Sequence, residues 1–171
     1  MATPSELRVQ RLVITDEAGR TRAELGLAPD AQEPQLVLYH PNGQRWAALA
    51  MVPPPGAPEG PREAALLLHD EAGKTRVSLG ASGRSSGMVL YDPRGIAGLA
   101  LYMEPDSQGL VISDGEVPRI HLRYNQHDDT PLSELILQDE QKGTQATLRG
   151  GRGGASLNLY RPDGERTFQA P

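Results

Sequence analysis

The side chains able to do chemistry are few, and most of them stand beside a turn. The 171 residues hold four histidines, five tyrosines and 22 acidic residues, and no cysteine. His121 and His127 are close in sequence, with Asp128 and Asp129 beside the second. Imidazole and carboxylate are zinc and nickel ligands, so His121, His127 and Asp129 make a candidate metal site if the chain brings them together. Tyr39, Tyr91 and Tyr160 each fall just before a turn, and Asp92 follows the second of them. Aromatic faces repeated in this way, with a carboxylate nearby, suit the stacking of sugars, so carbohydrate is a candidate ligand. The same residues also have a plainer use: tyrosines pack across strands with their hydroxyls in water, and aspartates open turns.

Other chemistries are excluded or unsupported. The absence of cysteine removes thiolate nucleophiles, Cys-ligated zinc and disulfide frameworks. No serine sits in a G-x-S-x-G elbow, and the glycine-rich run from Gly150 to Gly154 lacks a Walker lysine. The recurrent aspartates Asp16, Asp70, Asp92, Asp114 and Asp139 lack the D-x-D-x-D-G ladder of a calcium loop. No catalytic residue is assigned, no cofactor is expected, and the chain does not read as an enzyme.

These residues are positioned by one repeated element. Leu12 to Leu25 reads as an apolar run, a turn ending in glycine, and a run that alternates polar with apolar. Val13, Ile14 and Thr15 are β-branched and suit a pleated strand. Asp16 opens the turn through its side chain, and Gly19 closes it where a positive φ is expected. Variants recur six more times, with equivalent turn residues Gly43, Asp70, Gly73, Gly95 and Gly164 among them. The pattern predicts an all-β chain of seven tandem antiparallel hairpins with little or no helix. The hairpins at Asp16–Gly26 and Asp70–Gly80 share one signature, and those at Leu38, Leu90 and Leu159 share L-Y-x-P-x-G. Paired-hairpin units at 8–52, 64–103 and 109–149, with a half unit at 155–171, follow within a single domain. The arrangement expected is propeller-like or toroidal, or else a stacked-sheet β-meander.

The L-Y-D-P-R-G string at Leu90 to Gly95, with its variants at Leu38 and Leu159, resembles the YD hairpin repeats of bacterial Rhs proteins. Those repeats build large β shells around a toxin cargo. The likeness covers only the turn and the strand leading into it, and 171 residues are too few for a shell. It does not assign the family.

Net charge of −5 argues against nucleic acid as a partner. No apolar stretch is long enough for a membrane span, and no leader is visible, so a cytoplasmic location is expected. The strands before the turns are apolar on both faces, with Leu12 and Ile14 opposed to Val13, which requires cover on both sides. A non-catalytic structural or assembly protein, self-associated as a homo-oligomer (dimer or trimer), is the function expected. The row Val13, Val37, Val89 and Val111 is the interface expected, and carbohydrate binding is the alternative role.

Overall fold

The structure is a computed structural model that describes residues 6–28, 33–53, 62–115, 117–126, 131–141 and 143–171. Those residues form fourteen β-strands and no helix. The chain divides into two compact units, Met1–Thr75 and Arg76–Pro171.

In the first unit, β1 (Arg11–Thr15), β2 (Thr21–Leu27), β3 (Pro34–Tyr39), β4 (Arg45–Val52) and β5 (Glu63–His69) pair antiparallel in sequence order. The strand β6 (Thr75–Ala81) starts at the junction. The second unit continues with β7 (Ser86–Tyr91), β8 (Ala97–Met103), β9 (Ser107–Asp114), β10 (Val117–Asn125), β11 (Leu132–Gln138), β12 (Thr144–Gly151), β13 (Gly154–Tyr160) and β14 (Arg166–Ala170). Each of these strands again pairs antiparallel with its sequence neighbour. Six of the hairpins are therefore paired within the units, and the turn of the remaining one, Asp70 to Lys74, closes with the same backbone hydrogen bonds as the turn at Asp16. The pairings in the second unit run continuously from β6 to β14, so the strands there form a hairpin meander.

The turn chemistry explains the hairpins. Gly19 N–H donates to Asp16 O, and Asp16 N–H donates to Arg20 O. Asp16 Oδ1 accepts from the amides of Ala18 and Arg20. Gly19 has a φ of +76°, and Gly43, Gly73, Gly95 and Gly164 repeat that left-handed conformation at the matching positions. One residue of β2, Arg22, is left over between the pairs Ile14–Ala23 and Thr15–Thr21. The glycine bulge that a type I turn produces lies just ahead of it, where Gly19 and Arg20 together oppose Asp16. Asp70, Asp92 and Asp139 accept the same two amide hydrogens. Where proline follows a non-aspartate first residue, the acceptor moves two places on: Asn42 Oδ1 takes Gln44 N–H, and Asp163 Oδ1 takes Glu165 N–H.

Register places the apolar residues in rows. On one face of the first unit Leu12, Leu25, Leu36, Leu49 and Leu66 stand opposite one another across five strands. Ile14, Ala23, Leu38, Ala47 and Leu68 form the row beside them. The second unit has its own row from Leu79 through Leu101, Leu110, Leu122, Leu135 and Leu148 to Leu157. The buried residues are on the other face. Val37, with no exposed surface, and Ala48 and Ala65 are its buried apolar members. Ala48 and Ala50 share one groove there with the long side chains of Gln35, Arg45 and Arg62. Val37 is thus on the covered side, although Val13 on the edge strand of the same row is exposed, and the leucine rows point outward, opposite to the facing expected from sequence.

Candidate functional site

The leucine face is the largest chemical feature of each unit. In the first unit Leu12, Ile14, Leu25, Leu36, Leu38, Leu49, Leu66 and Leu68 are all exposed despite their registered packing. In the second unit Leu79, Leu90, Leu101, Ile112, Leu122, Leu137, Leu148, Leu157, Leu159 and Phe168 are exposed in the same way. A meander of neighbouring strands leaves them uncovered, because among the described residues of each unit only neighbouring strands come into contact. A large aliphatic side chain carries roughly 100 Å² of apolar surface, and these are about half exposed, which gives about 400 Å² on the first unit and about 500 Å² on the second. The largest apolar patch of a typical monomer is ~300–600 Å².

The opposite face carries paired charges among its smaller apolar residues. In the second unit Glu134 on β11 stands directly between Arg123 on β10 and Arg149 on β12. Arg123 Nε donates to Glu134 Oε2 at 2.8 Å, and Arg149 Nε donates to Oε1. Glu134 is 1% exposed. Burial pushes its carboxyl up, but hydrogen bonds from the two guanidinium groups outweigh that and hold it below the ordinary carboxylate value. In the first unit Arg11 makes a two-pronged pair with Glu24, at 2.8 and 2.7 Å. That hydrogen bond is the main cause of the lowered Glu24 carboxyl.

Tyr102 lies between two glycines, Gly87 on β7 and Gly109 on β9. A Cβ on Gly109 would come within 2.8 Å of the Tyr102 hydroxyl, so glycine gives the ring its place. The hydroxyl then reaches His121 Nε2 at 2.9 Å. Burial, and after it the charge of Arg123, lowers the His121 imidazole from its usual value. Of the proposed metal ligands, His121 is engaged with Tyr102, and His127 and Asp129 lie outside the described residues. Among the described residues no three histidine, aspartate or glutamate side chains gather as a metal site.

The sugar-stacking candidates are spread along the chain. Tyr39, Tyr91 and Tyr160 are half-buried at the ends of β3, β7 and β13, beside the bulges. Tyr39 lines an open groove of about 380 Å³ with Arg11, Arg20, His40 and Asn42. Burial raises the Tyr91 hydroxyl, and its carbonyl accepts Arg76 Nε. Asp92 is spent on its own turn, accepting from Arg94 N–H, Ile96 N–H and Arg94 Nε. Trp46 is left over at the bulge and does not stand opposite Tyr39. The bulge sets Arg45 opposite Tyr39, and Trp46 meets the His40 ring edge-on, with centroids 5.4 Å apart.

No protein family matches the chain, and no curated protein is similar to it. No helix is long and apolar enough to cross a membrane. Two features escaped the sequence reading. The Arg–Glu–Arg triad joins residues 11 and 15 positions apart and needs the register to be seen. Its signal was a lone glutamate inside the apolar strand L-S-E-L-I-L. The outward facing of the leucines depends on which face the long side chains cover.

Proposed function

We propose that this protein is a non-catalytic structural protein that assembles with copies of itself by covering its leucine face. The observation that carries the reading is the exposure of registered leucine rows on both units. A second copy is the occupant that fits. Each unit offers about 400–500 Å² by the same reckoning, at the scale of the largest apolar patches that mark protein–protein contact. Identical rows of leucine are also self-complementary, as a two-fold interface requires. Assembly into a homo-oligomer supplies the second apolar layer that a single sheet lacks, as one half of a sandwich supplies the other. A cytoplasmic location belongs to the same proposal, and cell fractionation tests it.

The experiment compares the natural chain with Leu36→Glu/Leu49→Glu by light scattering and circular dichroism. A lower mass with an unchanged β spectrum is expected, since the monomer already exposes both side chains. A mass unaffected by the change contradicts the reading.

A further inference from the structure

The leucine face is one surface that needs a partner, and the free edge of β1 is another. Among the described residues β1 pairs only with β2, and all five of its residues are exposed. The usual guards of a sheet edge are missing from it. It has no proline and no lysine. Its single charge, Arg11, is folded back over β2 by the two-pronged pair with Glu24. Among the described residues before it, Arg8 pairs with Glu6, and Leu7 and Val9 are exposed.

We propose that β1 pairs antiparallel with β1 of a second copy, about a two-fold axis at Val13. The backbone fixes that centre. Asp16 N–H points toward β2, where it donates to Arg20 O. The extra bulge residue lies in β2, so alternation along β1 is unbroken. Ile14 and Leu12 therefore also turn their amides to β2, and Arg11, Val13 and Thr15 turn theirs to the open edge. An antiparallel pair centred on Val13 uses all three: Val13 exchanges both hydrogen bonds with its counterpart, and Arg11 faces Thr15 of the other copy. The side chains agree with the same register. Leu12 comes opposite Ile14, and each apolar row continues across the axis on the same side of the sheet. The surface is distinct from the leucine face, and the inference stands without the assembly reading above.

Because the chain has no cysteine, single substitutions report this geometry in the full-length protein. Directly opposed residues of a hydrogen-bonded antiparallel pair are ~5.5 Å apart at Cα, within disulfide range. Val13→Cys alone is expected to oxidise to a covalent dimer at least tenfold faster than Arg11→Cys or Thr15→Cys alone. An equal mixture of Arg11→Cys and Thr15→Cys is expected to give the mixed dimer at a rate like that of Val13→Cys. Equal rates for all three single variants, or no dimer from Val13→Cys, overturn the proposal. Leu36→Glu/Leu49→Glu leaves this edge untouched, so loss of the face contact and loss of the edge contact read out separately.

Discussion

Leu36 on β3 and Leu49 on β4 stand directly opposite each other, yet they are 41% and 52% exposed. Cross-strand contact of this kind contributes only ~0.2–1 kcal/mol and leaves the tops of the side chains in water. Behind them Val37, one residue from Leu36, has no exposed surface. The inner faces hold the buried residues, polar Gln35 and Glu134 and apolar Val37 and Ala48, while the large apolar groups meet solvent on the outer ones, which is the reverse of a self-contained sheet. The account of assembly rests on that inversion.

Gly19 holds φ at +76° with open space around its missing Cβ. Valine there resists the left-handed conformation, and we expect Gly19→Val to cost about 1–3 kcal/mol in thermal unfolding. Gly73→Val is expected to cost a similar amount, since the close Gln44 side chain can swing aside. Gly115, in the least regular of the turn sequences, also has a positive φ, of +71°. Its valine variant is therefore expected to match the other two, and no loss in any of the three contradicts the turn assignment.

Glu134 is held by arginines on both neighbouring strands. Glu134→Ala leaves two guanidinium groups facing each other, each a third to half exposed. Water can recover part of the loss, so a cost of about 2–3 kcal/mol is expected, at the low end for a broken buried pair. Replacing Arg123, Glu134 and Arg149 together with methionine is expected to be nearly neutral. Chemical denaturation of both variants checks this, and a triple variant worse than Glu134→Ala contradicts it.

Gly109→Ala would set a Cβ 2.5 Å from the Leu122 carbonyl oxygen. Backbone cannot yield as a flexible side chain does, and ~1–3 kcal/mol of destabilisation is expected from the overpacking. The displaced Tyr102 ring is expected to release His121. The imidazole, lowered by burial in the folded chain, then returns toward its usual value, which NMR titration of the ring protons would follow.

The turn aspartates predict the response to acid. The amide of Ile96, followed by the Arg94 side chain, holds Asp92 down to about 2. Asp16 and Asp139 are lowered chiefly by the amides of Arg20 and Gly143. A lowered folded-state value means that the fold favours the ionised form. The contribution is complete above the ordinary aspartate value near ~3.9 and is lost as the pH falls through the folded value. Melting temperature is expected to hold from neutral pH to about 5 and to fall between about 4 and 2. Asp92→Asn keeps the oxygen acceptor without the charge, so its acid-dependent fall should be shallower. Identical pH profiles for the two proteins contradict the role given to the carboxylate.

The hairpins were legible because their causes are local. Asp16, Gly19 and the β-branched run before them act within a few residues, and the strands formed where those residues put them. The alternation of Leu12, Val13 and Ile14 was legible too. Which of the alternating sets faces outward was not, because that depends on side chains brought together from distant parts of the chain, such as Arg45 and Arg62, which share a groove with Ala48 and Ala50. Trp46 shows the same limit on a smaller scale. A bulge of one residue moved its partner from Tyr39 to His40.

The most direct test of the account is sedimentation equilibrium of the unmodified chain over a dilution series. The account predicts a mass that is a whole multiple of 18.4 kDa at micromolar concentration and falls toward 18.4 kDa on dilution. A species of 18.4 kDa at every concentration, with its leucine face still in water, would contradict it.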